Sequence, residues 1–387
     1  MLANSNAITD TTVIKPLVSV VIPSYNQGMY IEKAINSVLS QDFVEFELLI
    51  SDDASPDNSW ELIQGFSDTR LRVFRQKENL GPVGNLVFLI KNCRGKYIAL
   101  LNSDDYWLPE KLGKQVTIME SDPKLGACFT WADLIDENGR KITGVEGIWS
   151  DVFRQPGRTQ AEWLRHFFFK GNCICHPSML IRREIYDHLG FYNPAFRQLP
   201  DFEMWIRLVK EYPIAVIEET LVGHLRTGAN TSTVNPETTA RNLTELLEIF
   251  DGFFRNIPDE LFIAGFGENF RLRGVSMTPQ RLHCEKLFLL LDSGFAPPAA
   301  RAAALRGFYQ SFREPELEHT LTEEYSFSVF DYYRLTGSSG FGHYWVLAMG
   351  QIKPSLAEFG RALRLRYRDN RLYKWLKAMR RRLGLAS

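Results

Sequence analysis

Residues 95–109, GKYIALLNSDDYWLP, are the stretch that decides the fold of this chain. Residues 97–101 form a short apolar run with the length of a fully buried strand. The run stops at four polar residues, Asn102, Ser103, Asp104 and Asp105. Two adjacent carboxylates at the end of a buried strand repel each other, and desolvation raises the cost of ionising both. A divalent cation between them and an anionic ligand removes that cost, which makes this place the first candidate for a binding site.

A structural explanation of the same stretch stays open at this point. Asp105 or Ser103 would serve equally as the N-cap of the helix that is predicted after Pro109. Ligands of open α/β sheets bind outside the carboxyl ends of the strands, which is where Asp104 and Asp105 fall.

The composition bounds the class of protein. The chain has 387 residues, enough for a large domain and a second one, and its 45% hydrophobic and 24% charged content is typical of globular proteins. A net charge of -1 gives no global field that favours nucleic acid. Five irregularly spaced cysteines indicate a reducing compartment rather than a disulfide framework. Since neither a signal peptide nor an apolar run of about 18 residues is evident, we expect a cytoplasmic protein.

Strand and helix patterns alternate from residue 17 to residue 217. The strand patterns cover 17–23, 46–51, 72–75, 97–101, 126–131, 172–181 and 214–217. This alternation predicts an α/β fold with a mostly parallel sheet and helices on both faces. The second and fourth predicted strands end in aspartate pairs, Asp52-Asp53 and Asp104-Asp105, which should lie on the same edge of the sheet.

The carboxyl-terminal part of the chain is predicted to be helical. We divide the sequence into a tail (1–16), an α/β domain (17–235), a helical region (236–360) and a basic amphipathic helix (361–387), with the main boundary near Pro236. In the last segment Leu372, Trp375 and Leu376 begin an apolar stripe flanked by lysines and arginines, a pattern that suits an anionic membrane surface. A helix that docks on the protein body is the alternative. No recognised nucleic-acid module accompanies the charge, so no nucleic-acid partner is expected.

The loops after the predicted strands offer the groups that one nucleotide-sugar ligand would need. Acceptors and an aromatic face for a base and a ribose come from Pro23, Ser24, Tyr25, Asn26, Asp52, Asp53, Asn79, Asn85 and Ser103. Asp104 and Asp105 would hold a hard metal ion, and the metal ion would neutralise a diphosphate. Neither a dinucleotide fingerprint nor a P-loop is present.

Five ordered blocks resemble a known family. VSVVIPSYN, LLISDDASPDNS, NLGPVGNL, GKYIALLNSDDYW and LPDFEMWIRL are similar to family 2 glycosyltransferases of the GT-A fold, over residues 17–232. The resemblance implies that Asp52 and Asp53 contact the nucleobase and ribose, usually of UDP. It also implies that Asp104 and Asp105 hold Mn²⁺ or Mg²⁺ and that Asp104 lies at the nucleotide. Asn102 stands where the family's motif usually has its first acid.

The resemblance also implies a catalytic base. Asp201 aligns with the family's general base, which would take the proton of an acceptor hydroxyl in a single displacement with inversion. Capping of the following helix is the structural alternative for Asp201. Pro200 stands where a glutamate is usual.

Four further residues are placed on the acceptor or diphosphate side. Residues 224–232 resemble a family segment in which Thr227 replaces the usual histidine, and His224 or Arg226 would reach the diphosphate. His176 would line the acceptor side, and Trp205 would be either core or the floor of the acceptor site. A zinc site at Cys173-x-Cys175-His176 is disfavoured, because no second Cys/His pair follows at structural-zinc spacing.

The predicted function is an inverting, metal-dependent glycosyltransferase of polysaccharide biosynthesis. Its donor would be a nucleotide sugar, usually of UDP, and its acceptor a glycan or a lipid-linked molecule. We expect a cytoplasmic location, with peripheral contact on the inner membrane face through residues 361–387. The alternatives are a catalytically inactive relative that acts as a binding or scaffold subunit, and a sugar nucleotidyltransferase. The second of these would need a Gly-rich, Arg-bearing loop after the first strand, and PSYNQG is not such a loop.

Overall fold

The computed structural model describes residues 16–143, 151–227, 235–292 and 295–338. The chain divides into two compact units, Met1–Thr320 and Leu321–Ser387. The described part of the second unit contains helix α13, Val329–Ser338. The tail 1–15, residues 228–232 of the segment after His224, and the predicted basic helix 361–387 lie outside the described residues.

One eight-stranded sheet organises the first unit. Its strands are β1 (Val18–Ser24), β2 (Phe46–Asp52), β3 (Leu71–Arg75), β4 (Tyr97–Leu100), β5 (Tyr106–Trp107), β6 (Ala127–Ile135), β7 (Leu180–Arg182) and β8 (Ile214–Leu225). The spatial order is β3-β2-β1-β4-β7-β6-β8-β5. Pairings among β1, β2, β3 and β4 are parallel, and β6 is parallel to β8, whereas β7 and β5 pair antiparallel.

The helices of this unit follow the strands in the expected alternation and then continue without strands. They are α1 (Ile31–Leu39), α2 (Ser59–Gln64), α3 (Gly81–Lys91), α4 (Lys111–Ser121), α5 (Gln160–Lys170), α6 (Glu184–Leu189), α7 (Pro200–Glu211), α8 (Pro236–Gly252), α9 (Asp259–Phe266), α10 (Pro279–Leu291), α11 (Pro297–Ser311) and α12 (Pro315–His319).

The central strands are buried on both faces. Every residue of β2 and β4 is buried, which explains why their sequences hold consecutive apolar residues rather than an alternating pattern. On one face, Val20 and Leu48 belong to a core cluster with Ile35 of α1 and Leu112 of α4. Helix α3 contacts β1 and β2, and the strand residues that are buried outside this cluster, such as Val21, point the other way. Helices therefore cover both faces, as the sequence predicts.

The strand directions bring the candidate residues to one edge. Because β7 is antiparallel to both β4 and β6, the strands β1, β2, β4, β6 and β8 all run in the same direction. Their carboxyl ends share one edge of the sheet. The loops that begin at Ser24, Asp52 and Asn102 and the end of β8 at His224 meet there.

Two sequence-based strand predictions are wrong. The predicted strand 172–181 is mostly a loop and a 3₁₀ turn, His176–Ser178, followed by the three-residue β7. Pro177 has no N–H to donate to a neighbouring strand, so the apolar residues around it pack without joining the sheet. The predicted strand 214–217 is too short, because β8 continues to Leu225 and its later residues pair with β5 and β6.

The helices after Pro236 pack on the sheet domain through an aromatic cluster. Phe168 of α5 lies 5.0–5.8 Å, between ring centroids, from Phe250, Phe253, Phe254 and Phe266. Aromatic rings at such separations add packing energy to the burial of their large apolar area. The first helices of the predicted helical region are thus held in the same compact unit as the sheet. In the part of the chain that the structure describes, no helix is long and apolar enough to cross a membrane.

Candidate active site

The loop after β2 holds the loop after β1 in place. The hydroxyl of Ser55 accepts a 2.9 Å hydrogen bond from the N–H of Asn26, and the Asp53 N–H donates to the carbonyl of Ser24. Asn26 and Ala54 both have left-handed backbone conformations, with φ of 56° and 58°. Such conformations are uncommon outside glycine and are often found at functional sites. The predicted nucleotide-binding residues of these two loops therefore form one fixed structure.

Three polar atoms beneath these loops have no hydrogen-bond partner among the residues that the structure describes. Ser24 Oγ, Asp52 Oδ1 and Asn85 Oδ1 are buried and unpaired, although Asp52 Oδ2 accepts from the N–H of Ser55 and Asn85 Nδ2 donates to the carbonyl of Ser51. A buried polar atom without a partner costs about 1–3 kcal/mol. Unpaired acceptors at the end of β1 and β2 are what a ligand with N–H and O–H donors would satisfy.

The loop before α3 contacts the loop after β2 and borders the same region. Asp53 Oδ1 accepts a 2.8 Å bond from the N–H of Leu80, and the Asn79 side chain donates to the carbonyl of Asp53 at 3.3 Å. Burial raises the pKa of Asp53, and the neighbouring Asp52 adds to the rise against the opposing backbone bonds. Tyr25 is 48% exposed and presents a ring at the rim. Pro23 lies within β1, opposite Ser51.

The turn after β4 fixes Asp105 through three protein donors. Its carboxylate accepts from the side chain of Asn102 at 2.9 Å, from the backbone N–H of Leu225 at 2.8 Å and from His224 Nδ1 at 3.0 Å. Asp105 and Ser103 are buried. Asn102, which replaces the acid expected at this position, thus donates to Asp105 where an acid would repel it. The strongly held Asp105 connects the turn after β4 to the end of β8.

Asp104 is less buried than Asp105 and has a perturbed titration. Burial raises its pKa to about 7, the negative charge of Asp105 adds to the rise, and His224 opposes it. Burial alone would lower the pKa of His224, but the charge and hydrogen bond of Asp105, with the charge of Asp104, raise it overall. The pair of carboxylates therefore stands beside one group that is able to carry a positive charge.

The donor set at this turn fits a metal ion that a ligand completes. Among the described residues, no group of three or more His, Cys, Asp or Glu side chains is arranged to hold a metal. Mg²⁺ is commonly bound by one or two carboxylates together with phosphate oxygens and water. The carboxylate of Asp104, next to that of Asp105, offers the hard oxygen ligands that such a site needs, and a bound cation would offset the repulsion between the two groups. The assignment of Asp104 and Asp105 as metal ligands stays a prediction.

Asp201 lies in the first turn of α7 and is oriented by two donors. Its Oδ2 accepts a 2.8 Å hydrogen bond from Asn172 Nδ2, and its Oδ1 accepts from the N–H of Phe202 at 2.8 Å. Burial raises the pKa of Asp201 to about 6, against the lowering effect of these two bonds and of the charge of His224. A carboxylate with this pKa is ionised at neutral pH and basic enough to accept a proton.

His224 is central to the acidic side of the site. Its charge acts on Asp104, Asp201 and His176, and it is hydrogen-bonded to Asp105. We call Asp104, Asp105, Asp201 and His224 the acidic cluster. The structure thus brings together residues from the ends of β4, α7 and β8 that are distant in sequence. Arg226 follows β8, and its charge acts on His224.

The other two residues predicted on the acceptor side differ in exposure. His176 Nε2 lies 2.9 Å from the hydroxyl of Tyr192, and burial lowers the pKa of His176 to about 3, so its ring is neutral. His176 keeps partial exposure. Trp205 is fully buried and packs edge-on against Phe129 and His176, with centroid separations of 4.8 and 5.7 Å. Trp205 is therefore a core residue beneath His176.

Asn172 is a residue of this site that the sequence analysis missed. It lies in the segment that was predicted to be a strand, 29 residues before the carboxylate that it contacts. Its side-chain oxygen also accepts the N–H of Ile174, which fixes the amide orientation. An asparagine in an apolar stretch, directly after Gly171, was the available signal.

Comparisons with known proteins agree with this architecture. The sequence profile described as "Glycosyl transferase family 2" matches residues 19–190. A putative teichuronic acid biosynthesis glycosyltransferase of Bacillus subtilis, TuaG, is 37% identical over 199 residues, which are 51% of this chain and 73% of TuaG. An Escherichia coli UDP-Glc:alpha-D-GlcNAc-diphosphoundecaprenol beta-1,3-glucosyltransferase, WfaP, is 34% identical over 197 residues, 50% of this chain and 71% of WfaP. An uncharacterised glycosyltransferase of Methanocaldococcus jannaschii is 30% identical over 213 residues, 54% of this chain and 70% of that protein.

Solved structures resemble the fold. S. aureus TarS in complex with UDP superposes with a TM-score of 0.52 at 17% identity, covering 77% of this chain and 91% of that one. TarS in complex with UDP-GlcNAc gives a TM-score of 0.51 at 18% identity, with 77% and 92% covered. The parallel strands with carboxylates at their carboxyl edge, the family profile and these relatives together identify the chain as an enzyme, a member of glycosyltransferase family 2 with the GT-A fold.

Proposed function

We propose that this enzyme is an inverting, metal-dependent glycosyltransferase of polysaccharide biosynthesis. Its donor is a nucleotide sugar, with UDP as the nucleotide, and its acceptor is a hydroxyl of a glycan or of a lipid-linked molecule. The observation that carries the proposal is the acidic cluster, in which Asp201 and the Asp104-Asp105 pair lie around His224 at the carboxyl edge of the sheet.

The nucleotide side of the proposal rests on the unpaired acceptors beneath the first two loops. Ser24 Oγ, Asp52 Oδ1 and Asn85 Oδ1 are buried and find no donor in the described part of the chain, and a nucleobase N–H or a ribose hydroxyl would supply one. Asp53 and Asn79 support the loop that closes over them. Because the loops after β1 and β2 are already held in one conformation, less conformational entropy is lost when a ligand binds to them.

The reaction would proceed as one displacement at the anomeric carbon. The acceptor hydroxyl donates its proton to the Asp201 carboxylate while its oxygen forms a bond to that carbon. On the opposite side, the bond from the carbon to the diphosphate oxygen breaks, and the nucleoside diphosphate leaves. Attack and departure on opposite faces invert the configuration. Asn172 holds the Asp201 carboxylate in the orientation that this proton transfer needs.

Asp104, supported by Asp105, would hold Mn²⁺ or Mg²⁺ at this site. When it is bound, such an ion supplies Lewis-acid stabilisation of the negative charge on the departing diphosphate. His224 has a raised pKa and places a second cationic group on the same side, where it offsets the repulsion between Asp104 and Asp105. Arg226 is close enough to contribute to this positive side.

The choice of substrates is supported by the names of the relatives. WfaP is named as a transferase from UDP-Glc to a diphosphoundecaprenol-linked sugar, and TuaG is assigned to teichuronic acid biosynthesis. TarS structures contain UDP or UDP-GlcNAc. These names favour a UDP-sugar donor and a polymer or lipid-linked acceptor for this chain.

A donor screen with a base variant tests the proposal. We would measure nucleoside diphosphate release from UDP-, GDP- and TDP-sugars with Mn²⁺ or Mg²⁺, with and without a sugar-diphosphoundecaprenol acceptor. Asp201→Asn should lose about 10²- to 10⁴-fold in kcat because general-base catalysis is removed, while the Kd for the donor stays unchanged. Glu203→Gln is the matched control, because Glu203 lies two residues away and is paired with Arg207.

Two results would contradict the proposal in different ways. Normal turnover by the Asp201→Asn variant would show that Asp201 is not the base. Donor binding without release of nucleoside diphosphate, for all donors and both metals, would favour the inactive scaffold instead.

We also propose that residues 361–387 bring the enzyme to the inner membrane face. This segment lies outside the described residues, and the proposal rests on its sequence: basic residues flank an apolar stripe that includes Trp375. Deletion of residues 361–387 should abolish co-sedimentation with vesicles that contain anionic lipid and should not change binding to neutral vesicles. Unchanged sedimentation with anionic vesicles would refute this part of the proposal.

A further inference from the structure

A buried carboxylate of α8 holds the chain segment that leads into α7. Glu245 is 5% exposed, and its two oxygens accept hydrogen bonds from three consecutive backbone N–H groups. Oε1 accepts from Arg197 at 2.8 Å and from Gln198 at 3.1 Å. Oε2 accepts from Gln198 at 2.9 Å and from Leu199 at 2.8 Å. Hydrogen bonds to an ionised acceptor are about twice as strong as neutral ones, so this contact fixes the segment 197–199.

The N-cap residue of helix α7 provides no side-chain cap, and the backbone just before the helix is held by this remote contact. Leu199 is the N-cap residue and has no side-chain hydrogen bond to the helix. The orphan donors at a helix start are usually satisfied by a local Ser, Thr, Asp or Asn. Here the donors just before the helix are satisfied by Glu245, 46 residues later in the sequence.

The other end of α7 is attached to the same part of the chain. Lys210, in the last turn of α7, is buried and donates to the carbonyls of Gly252 and Arg255 at 3.3 and 2.9 Å. Helix α7 is thus tied at its start to the middle of α8 and at its end to the carboxyl end of α8. A helix fixed at both ends has little freedom to shift along or rotate about its axis.

We infer that Glu245 is a positioning residue for catalysis, through which the helical region after Pro236 sets the place of the Asp201 carboxylate. Asp201 follows Leu199 by two residues, so the segment that Glu245 holds determines where its backbone lies. Its side chain is then oriented by Asn172, which belongs to a different loop. A displacement of about 1 Å at a reacting group costs up to about 100-fold in rate. This inference rests on the proposed role of Asp201 as the base.

A second buried glutamate provides a matched control. Glu285 of α10 is fully buried, and its carboxylate accepts from the backbone N–H groups of Arg271 and Leu272 at 2.8 and 2.9 Å. The chemistry is the same as at Glu245, since a helical carboxylate holds a backbone loop. The loop 271–272, however, carries none of the proposed site residues. Loss of Glu285 should therefore affect stability in a similar way without moving Asp201.

The test compares Glu245→Gln and Glu245→Ala with Glu285→Gln in the full chain. We expect kcat for nucleoside diphosphate release to fall about 10-fold in Glu245→Gln and about 100-fold in Glu245→Ala, with the donor Kd within twofold of wild type. Amide hydrogen exchange of residues 197–203 should accelerate in both Glu245 variants. Glu285→Gln should keep the wild-type kcat and the wild-type exchange of this segment. The Gln variant retains an acceptor oxygen and serves if the Ala variant does not fold.

The outcomes separate this inference from the proposed function. Wild-type kcat in the Glu245 variants, or unchanged exchange of residues 197–203, would overturn the positioning role. Loss of donor binding together with kcat would also overturn it, because that pattern indicates general unfolding. A wild-type enzyme that releases no nucleoside diphosphate would refute the proposed function, and the exchange data would still decide whether Glu245 holds the segment.

Discussion

Replacement of Asn172 should shift the pH dependence of the reaction in a predictable direction. The side chain of Asn172 donates a 2.8 Å hydrogen bond to Asp201 Oδ2, and this bond lowers the pKa of a carboxyl group that burial raises to about 6. A hydrogen bond to a charged group contributes about 1.5–3 kcal/mol. Since one pKa unit corresponds to about 1.4 kcal/mol, the Asn172→Ala variant should have an Asp201 pKa about 1–2 units higher.

The sign of the effect on activity follows from the role of Asp201 as a base. Only the ionised carboxylate accepts a proton, so kcat/KM should rise with pH through the pKa of Asp201. In wild type the rise should centre near about 6, and in Asn172→Ala it should move to about 7–8. A shift of about one unit lowers kcat/KM about fivefold at pH 6 and leaves it almost unchanged at pH 9. Asn172→Asp should move the rise further, because it places a second carboxylate against Asp201.

The assay is nucleoside diphosphate release at limiting donor concentration from pH 5 to 9. Asn92→Ala is a suitable control. Asn92 follows α3, and its side chain donates a hydrogen bond to the carbonyl of Phe88 in the same helix. An acidic limb of kcat/KM that does not move in Asn172→Ala, while the control behaves as wild type, would refute the assignment of Asp201 as the base that Asn172 orients.

Three further predictions concern the metal, the core and the buried lysine. Asp104→Ala should weaken the binding of Mn²⁺ and of the donor together, by about 10-fold or more in calorimetric titrations, and unchanged metal dependence would contradict its role as a ligand. Phe168→Ala should lower the free energy of unfolding by about 3–5 kcal/mol in denaturant titrations, because it opens a cavity in the aromatic cluster; a loss below about 1 kcal/mol would show that this cluster does not hold the helices. Lys111 is fully buried, and burial lowers its pKa to about 7. Between pH 7 and 10 the unfolded chain therefore binds more protons at this residue than the folded chain, so the free energy of unfolding should fall as the pH decreases. Lys111→Met should reduce this dependence of the free energy of unfolding on pH. The same pH dependence in the variant and in wild type would contradict the burial of a neutral amine.

The sequence predicted the parts of the fold that local patterns encode. Apolar residues predominate in the buried strands β1, β2 and β4, and each strand ends at a polar cluster that stops it. In these strands the apolar composition and the polar residues that follow it agree, which is the condition for a reliable prediction. The capping boxes that start α5, at Thr159 and Glu162, and α8, at Asn235 and Thr238, are local signals that the sequence analysis did not use.

The same reasoning failed where distant residues decide the structure. The predicted strand ends at residue 217, yet β8 continues to Leu225, because β6 and the two-residue β5 supply hydrogen-bond partners from earlier in the chain. The apolar residues around Cys173 and Cys175 resemble a strand, but the 3₁₀ turn His176–Ser178, which contains Pro177, interrupts the run before the short strand β7. Pairing partners over such distances cannot be read from one stretch of sequence.

The candidate site shows the same division. Asp52, Asp53, Asp104 and Asp105 were placed on one edge by the alternation of strands alone, and the structure confirms this placement. The neighbours that orient Asp201 and hold the segment before it were not foreseeable. Asn172 contacts a carboxylate 29 residues away, and Glu245 contacts a segment 46 residues away, so neither has a local signature.

We propose that the acidic cluster binds a metal-bridged nucleotide sugar and that Asp201 faces its anomeric carbon. A crystal structure of the Asp201→Asn variant with Mn²⁺ and the donor selected by the screen tests it most directly. We predict an anomalous manganese peak within coordination distance of the Asp104 carboxylate, a nucleotide bound at the ends of β1 and β2, and an anomeric carbon that faces residue 201. A nucleotide and a manganese peak at any other place on the molecule would contradict the claim.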